Sequence, residues 1–410
     1  MRMGTVASTA FSIVIIARNE ARNLPRLLDG LGTFADRGGE ILVVDTGSID
    51  DTPAIAQERG CRVESASSRF DSLLDVERAT EIERRFAAEG EGPLVEAGQR
   101  LFHFGQAREY ASQLASRRFV FQLDGGDEVL AFDIDAFENW IASGRATAFE
   151  YGQLFGNVSL RMARFYDRDR YHWEGRVHEM LSAVAAPGGA SRLACDASHL
   201  LVRHHKDENK PRSYLAGLAL QVIEAPQRPR WWHYLGRQLY YEGRYRSAIA
   251  LLETHAAKED VWSAERSQSL CYVGECYEGL GSDREAHEAY GRALALDSTR
   301  REPLLRLASL YSRRGEFEAA VQRARQSLAI PRTCAYPELE ANYTWVPHSI
   351  LYWSLFWLGR RDEARAHWEI CHRLAPDEEI IRDHARLFPP ASAVAMGAPV
   401  PPPSASGVNP

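Results

Sequence analysis

Three short apolar runs in the N-terminal part of the chain are each followed by polar residues. Residues 11–17, 41–44 and 119–123 are apolar and rich in β-branched or aromatic side chains, which is typical of buried strands. After the first run, leucines at helical spacing over residues 24–31 predict a helix. Strands that alternate with helices predict an α/β domain with a mostly parallel sheet, and such sheets bind ligands beyond the carboxyl ends of their strands.

The polar residues after these runs therefore mark a candidate site. Asn19 and Glu20 follow the first run, and Asn19 also stands where a helix cap is expected. Asp45 ends the second run, and the third leads into residues 124–128, which read Asp-Gly-Gly-Asp-Glu. Each predicted strand thus delivers polar or acidic side chains to the same edge of the sheet.

From Trp231 onward the pattern changes to helices with an internal repeat. The repeat resembles the tetratricopeptide (TPR) pattern and predicts four helical hairpins, each with a small residue in the first helix, a turn glycine seven residues later and an alanine five residues after that. The fourth unit has the bulky Tyr352 in its small-residue slot, as a degenerate cap would. The remaining positions are Gly236, Gly274 and Ala308, then Gly243, Gly281, Gly315 and Gly359, then Ala248, Ala286, Ala320 and Ala364.

These patterns divide the chain into predicted parts. We expect an exposed helical insertion in the first domain, which is either a solvated helix or a lid or acceptor-recognition element. The Pro/Ala-rich C-terminal tail cannot bury a core and is expected to be disordered. The predicted boundaries are 1–10 (disordered), 11–220 (α/β domain, insertion 65–100), 228–386 (repeats) and 389–410 (disordered).

The charge and composition of the chain argue against several classes of function. The net charge of −7 argues against a nucleic-acid partner, since phosphate binding needs a basic face. The apolar runs are too short to span a bilayer, although peripheral contact with the inner membrane face stays open. Six cysteines without metal-ligand spacing predict packed thiols in a reducing cytoplasm.

Four landmarks give the N-terminal half a family resemblance. They are residues 12–20, 43–52, 123–128 and 164–179, the last ending in Trp-Glu-Gly-Arg-Val-His-Glu. Together they resemble the family 2 glycosyltransferases of GT-A fold, and the last is similar to segments of bacterial lipopolysaccharide-core glucosyltransferases, including those fused to TPR repeats. The resemblance implies sugar transfer from a nucleotide-sugar donor, such as a UDP-sugar, to an acceptor hydroxyl or thiol. It also implies inversion at the sugar and assistance by Mg²⁺ or Mn²⁺.

The resemblance also assigns roles to residues. The family pattern is Asp-x-Asp, so the extra residue here leaves open which acid after Asp124 binds the metal. The donor-binding set is Ala17, Asn19, Glu20, Asp45, Arg108 and Asp124; the metal set is Asp124, Asp127, Glu128 and His178; the catalytic pair is His178 and Glu179.

Some of these residues also have plain structural interpretations. Asp50 and Asp51 are expected to cap the next helix. Arg108 either neutralises phosphate or forms a surface ion pair. His204 and His205 either reach the diphosphate or metal or lie in a domain junction.

Two other functions compete with the transferase. A nucleotidyltransferase should carry a Gly-rich phosphate loop near its first strand, and the sequence has none. The second rival is a degenerate transferase domain that serves as a scaffold, with the repeat groove binding a protein partner. In the enzyme, the groove would dock a partner or the acceptor, which is a glycan, a lipid-linked saccharide or a peptide.

Overall fold

The computed structural model describes residues 9–156, 158–185, 189–205, 214–332 and 339–389. The chain forms two units, of which the first comprises Met1–Ala87 and Gly92–Ala225 and the second Ala88–Glu91 and Pro226–Pro410. Most of the two segments expected to be disordered, residues 1–8 and 390–410, lies outside the described residues.

The first unit is built around a mixed nine-stranded sheet. All three predicted apolar runs are confirmed as its neighbouring strands β1, β2 and β6. The strands of the chain are β1 (Phe11–Ala17), β2 (Glu40–Asp45), β3 (Arg62–Ser65), β4 (Asp71–Leu73), β5 (Arg100–Phe102), β6 (Phe119–Asp124), β7 (Asp127–Phe132), β8 (Ala148–Phe155), β9 (Val158–Asp167), β10 (Tyr171–Glu174), β11 (Met180–Ala183), β12 (Arg192–Ala194) and β13 (Leu200–His204).

The order of the main sheet is β3-β2-β1-β6-β9-β8-β13-β7, with β12 beside β8. Five of its pairings are parallel and three are antiparallel, so the mostly parallel sheet is confirmed. The antiparallel part comes from β9 and β7, which the sequence analysis did not resolve. Two-stranded sheets are formed by β10 with β11 and by β4 with β5.

Helices cover the sheet, and the predicted insertion contains β4, one helix and the start of β5. The first-unit helices are α1 (Leu24–Gly30), α2 (Gly32–Asp36), α3 (Thr52–Glu58), α4 (Val76–Phe86), α5 (Phe104–Leu114), α6 (Ile134–Ala142) and α7 (Leu215–Glu224). On one side of the sheet, Phe11, Phe121 and Phe165 pack with the leucines of α1 in a fully buried core. This core fixes the strands whose carboxyl ends form the candidate site.

The second unit consists of antiparallel helix pairs, as the repeat predicts. They are α8 (Pro229–Tyr241) with α9 (Tyr245–Ala256), α10 (Ser263–Gly279) with α11 (Asp283–Leu296), α12 (Glu302–Arg313) with α13 (Phe317–Leu328), and α14 (Val346–Trp357) with α15 (Arg361–Leu374); α16 (Glu379–Asp383) and the 3-10 helices Glu340–Tyr343 and His384–Leu387 accompany the last pair.

The repeat positions have the expected physical roles. All four turn glycines adopt the left-handed backbone, with φ between 72° and 77°. The four alanines are fully buried. A Cβ at Gly274 would lie 2.3 Å from the ring of Tyr290, so only glycine lets this helix pair approach so closely. Tyr352 is also buried, and its hydroxyl lies 2.8 Å from Nδ1 of His384 in the closing segment.

Two smaller sequence expectations concern the cysteine thiols and the lack of membrane-spanning segments. Five cysteines, at positions 61, 195, 271, 276 and 371, carry unpaired thiols, while Cys334 lies outside the described residues. Among the described helices, none combines the length and the apolar composition that crossing a membrane requires.

Candidate functional site

The carboxyl ends of β1, β2 and β6 meet at one edge of the sheet. In the strand register Ala17 is opposite Asp45, and Ile16 is opposite Asp124. From β1 the chain builds β2 and β3 on one side, whereas β6 lies on the other side. Such a reversal of strand order opens a crevice beyond the strand ends, where α/β sheets bind their ligands.

Asn19 joins the first two strand ends. Its backbone is left-handed, with φ of 54°. Its N–H donates to Ser48 Oγ at 2.9 Å, and its side-chain oxygen accepts from the N–H of Ile49 at 2.8 Å. The expectation that Asn19 caps the next helix is therefore wrong, because α1 begins only at Leu24 and Asn23 holds the cap position.

Asp45 is buried at the end of β2, with one carboxylate oxygen 3.0 Å from the N–H of Ser48. Of the two acids that follow, only Asp50 bonds the start of the next helix through its side chain, so the expectation that both cap this helix is wrong for Asp51. Asp50 accepts from the N–H and hydroxyl of Thr52 at the start of α3. Asp51 holds the cap position, but its side chain makes no capping hydrogen bond.

The acidic turn fits closely between its neighbours. The Gly125 N–H donates to Ile16 O at 3.2 Å, and the Gly126 carbonyl accepts from the His205 N–H at 2.9 Å. A Cβ at Gly125 would lie 2.6 Å from Cγ of Glu20, and one at Gly126 would lie 3.0 Å from the His205 carbonyl. The turn therefore lies this close to Glu20 and to the His205 carbonyl because both positions are glycine.

Beyond the turn, the two acids have different partners. The antiparallel register of β13 and β7 sets His204 opposite Asp127. The fully buried Asp127 carboxylate lies 2.9 Å from His204 Nδ1 and accepts from Gln153 at 3.1 Å. Glu128 instead pairs with His205 at 2.7 Å, a hydrogen bond that lowers the pKa of this carboxyl. The structure therefore places Asp127 rather than Glu128 beside Asp124.

Asp124 lies between two arginines. Its Oδ1 accepts from Arg108 Nη2 at 2.7 Å, and its Oδ2 accepts from Arg164 Nη1 at 2.6 Å. Nε of Arg108 also donates to Glu179 at 2.6 Å. The Arg108 side chain is only 3% exposed, so the expectation of a surface ion pair is wrong: α5 carries this residue into the interior beneath the site.

The buried charges determine which groups stay ionised. Burial alone raises the pKa of Asp124, but the charges of Arg108 and Arg164 outweigh this effect and hold the pKa far below its usual range. Burial likewise opposes ionisation of Glu179, and the same two arginines lower its pKa. Both carboxylates are therefore anions at neutral pH.

Three ligand-type side chains converge in this region. One ligand atom each from Asp124, Asp127 and His204 lies within 4.8 Å of the others, so the group can hold a metal ion. In the part of the chain that the structure describes, several buried polar atoms next to this group have no protein partner, and buried polar atoms normally have one. They are Arg108 Nη1, Arg164 Nε, Tyr151 Oη and Gln153 Oε1. The carboxylates and the imidazole fit a cation, and Gln153 Oε1 and Tyr151 Oη can accept from its water ligands. The unpartnered N–H groups of the two positively charged arginines instead fit an anionic ligand.

Two further predicted site residues, His178 and Glu20, do not belong to the three-residue group. His178 is exposed, has a left-handed backbone with φ of 49°, and lies outside the three-residue group. Its ring centroid is 5.7 Å from that of Tyr214. The N–H of Glu20 donates to Thr52 at 2.7 Å, which fixes the backbone just beyond β1.

Sequence reasoning assigned no role to Arg164, Gln153 or Tyr151. Arg164 lies on β9 and the other two on β8. No local motif marks Gln153 or Tyr151, and Arg164 only opens the fourth landmark, in which it was given no role. A weak signal exists for Tyr151 and Gln153, which are two positions apart on β8. Polar side chains at alternate positions of an apolar strand face the same side of a sheet.

A protein-family model matches part of the first unit. Residues 12–68 match the family model for glycosyl transferase family 2, a stretch that includes Asn19 and Asp45 and ends before the acidic turn. No curated protein sequence matches the chain significantly.

Solved structures resemble the chain loosely. A MamA protein is 14% identical and covers 42% of this chain and 84% of its own, with a TM-score of 0.32. PilF of Pseudomonas aeruginosa is 18% identical over 41% of this chain and 71% of its own, with a TM-score of 0.34. A thermophilic TPR protein of Thermus thermophilus is 22% identical over 44% and 91%, with a TM-score of 0.31. At these TM-scores the assignment of helical hairpins depends on the helices and turns of this chain itself.

Proposed function

We propose that the first unit transfers a sugar from a nucleotide-sugar donor to an acceptor hydroxyl or thiol, with inversion. The observation that carries the proposal is the strand register, which brings Asp45 and Asp124 to one edge of the sheet. Asp45 belongs to the segment that matches glycosyl transferase family 2. The predicted domain limits, 11–220 for the transferase and 228–386 for the repeats, belong to this proposal.

In this proposal the end of β2 binds the nucleobase. Asp45 is buried, and its backbone carbonyl accepts from the Ala66 N–H at 2.8 Å, so its carboxylate has a fixed position. A carboxylate so placed accepts a hydrogen bond from a base N–H. Asn19 fixes the adjoining loop through Ser48 and Ile49, which keeps this part of the crevice preorganised.

Asp124, Asp127 and His204 would hold a divalent cation, and the carboxylates suit Mg²⁺ or Mn²⁺. When bound, the cation would stabilise the negative charge that develops on the departing nucleoside diphosphate. The chain's own contribution is to hold the two carboxylates in place. Gln153 fixes Asp127, and the Asp124 N–H donates to Asp127 Oδ2 at 2.8 Å.

The acceptor side contains Glu179 and His178. Because Arg108 and Arg164 keep Glu179 ionised, this carboxylate is a weak proton acceptor, and we assign it the role of orienting Arg108. His178 lies next to it and is exposed, and imidazole titrates near neutral pH. We therefore assign to His178 the removal of the acceptor's proton. The repeat unit would dock the acceptor or a protein partner.

The proposal is tested by calorimetric titration of the full chain with UDP in the presence of Mn²⁺. Asp45→Asn should weaken UDP binding about tenfold or more, because the amide that replaces the carboxylate is a poorer acceptor. The matched control is Asp29→Asn, a surface aspartate paired with Arg59 in the same unit.

Equal UDP affinity for the wild type, Asp45→Asn and Asp29→Asn would contradict the assigned base site. No UDP binding by the wild type would favour the scaffold function. That function would then be pursued by searching for protein partners of the repeat unit.

A further inference from the structure

The acidic turn already has internal counter-ions. Each oxygen of Asp124 accepts from a different guanidinium group, at 2.7 Å from Arg108 and 2.6 Å from Arg164. Asp127 and Glu179 add two further carboxylates to the cluster. Three carboxylates against two guanidinium groups leave far less negative charge for a divalent cation than the carboxylates alone would offer.

The two arginines are held in different ways. Arg108 bridges Asp124 and Glu179, and its backbone carbonyl accepts from the side-chain amide of Gln122 at 2.6 Å. Arg164 forms an ion pair with Asp124 alone, and its buried Nε has no partner among the described residues. Moving Arg164 therefore breaks one ion pair, whereas moving Arg108 breaks two.

A ligand can reach this ion pair from solvent. The side chain of Asp124 is 23% exposed and that of Arg164 is 12% exposed, against 3% for Arg108. Arg164 also lies on β9, which neighbours β6 in the sheet, so its guanidinium lies at the crevice where the donor's diphosphate is expected. A diphosphate offers a guanidinium group a bidentate anionic partner.

We propose that Arg164 is a displaceable counter-ion that couples cation binding to donor binding. Without donor it neutralises Asp124. When a divalent cation and a nucleoside diphosphate enter together, the cation takes its place at Asp124 and Arg164 pairs with the diphosphate. This inference rests on the proposed function, since it requires a diphosphate-bearing donor. By thermodynamic linkage, Mn²⁺ and the nucleotide then strengthen each other's binding.

The experiment measures Mn²⁺ affinity of the full chain, from the paramagnetic resonance signal of free Mn²⁺, with and without saturating UDP. For the wild type, UDP should tighten Mn²⁺ binding about tenfold or more. Arg164→Gln should bind Mn²⁺ about tenfold more tightly than the wild type without UDP, because a positive charge beside Asp124 is gone. In this variant the effect of UDP should shrink.

Two further variants make the result specific. Arg164→Lys keeps the charge and should retain the weak Mn²⁺ binding of the wild type without UDP. If Arg164→Gln does not fold, the wild type still tests the inference, because Mn²⁺ binding that UDP leaves unchanged would contradict the coupling. Arg145→Gln removes one positive charge from an exposed residue that stacks over Trp140, with 5.6 Å between guanidinium carbon and ring centroid, and should leave Mn²⁺ binding unchanged.

The outcomes distinguish failure of this inference from failure of the proposed function on which it rests. If UDP binds in a Mn²⁺-dependent way but Arg164→Gln and the wild type bind Mn²⁺ equally, Arg164 is not a counter-ion that the cation displaces and only the inference fails. If the wild type binds no UDP under any condition, the proposed function fails and the inference fails with it.

Discussion

The two units are stabilised by different means. At the centre of the candidate site, buried charges from α5, β6, β9 and the segment after β10 neutralise one another around Asp124. In the helical unit, small residues at fixed repeat positions let neighbouring helices pack closely. At its candidate site the first unit therefore keeps charged groups in its interior, where their desolvation costs free energy, whereas the repeat positions of the second unit are arranged for close packing.

The largest expected loss of stability comes from a substitution in the buried charge cluster around Asp124. Asp124→Asn removes the anion that Arg108 and Arg164 share, and leaving buried charges without their partner costs about 3 kcal/mol. Hydrogen exchange followed by mass spectrometry should show lost protection in the first unit while the repeats stay protected. Asp29→Asn is the control, and equal protection in both variants would contradict the importance of the cluster.

The next effect concerns helix packing in the repeats. Gly274→Ala would place a Cβ 2.3 Å from the Tyr290 ring, and such overpacking costs about 2 kcal/mol. Urea unfolding of the repeats, followed by the same exchange method, measures this loss. In the partner helix, Gly291→Ala meets nothing within 4 Å and should gain about 0.5–1 kcal/mol from helix propensity. A loss of stability in both variants would mean that close approach at residue 274 is not what destabilises Gly274→Ala.

A smaller effect should appear as pH falls. The Nδ1 atoms of His348 and His367 lie 2.9 Å apart, and burial together with the charge of His367 lowers the pKa of His348 to about 4. The folded chain therefore binds fewer protons than the unfolded chain between about pH 6.5 and 4, so stability should fall as pH drops through this window. Solvent screening limits the loss to about 1 kcal/mol.

Thermal unfolding at pH 7.5 and 5 measures this dependence. His348→Gln should reduce it, whereas replacing the exposed His372 on α15 should not. A pH dependence that is identical in the wild type and His348→Gln would remove the histidine pair as its source.

The smallest effect involves a helix cap that the repeat pattern does not contain. Glu91 accepts hydrogen bonds from the N–H groups of Arg246 and Ser247, at 2.6 and 3.2 Å, where α9 begins. Glu91→Ala should cost about 1 kcal/mol, as the loss of other helix caps does. Exchange protection over the first turn of α9 measures the loss, with Glu89→Ala as the control; unchanged protection would mean that Glu91 contributes nothing there.

The sequence predicted what local physics determines. Glycine is needed where the backbone is left-handed, so the turns at 243, 281, 315 and 359 could be located from spacing alone. The strands β1, β2 and β6 were equally visible because each is a predominantly apolar run.

The candidate site was only partly predictable, because its partners come from distant elements. Asp45 and the acidic turn follow apolar strands and could be found. Arg164 opens a landmark, but nothing local gives it a role, because only the pairing of β9 with β6 brings it to Asp124. Asn19 was misread as a helix cap because nothing local shows that its side chain bonds across to Ile49. Tertiary register, rather than local preference, determines these contacts.

The function proposed for the first unit requires it to activate a nucleotide sugar so that the nucleoside diphosphate is released. It is tested most directly by measuring the release of free nucleoside diphosphate from UDP-glucose, UDP-galactose, UDP-N-acetylglucosamine and GDP-mannose with Mn²⁺ and no acceptor. We expect slow release from at least one donor by the wild type and the Asp29→Asn control, and loss of that release in Asp124→Asn. Release from none of the donors, or equal release by Asp124→Asn, would contradict it.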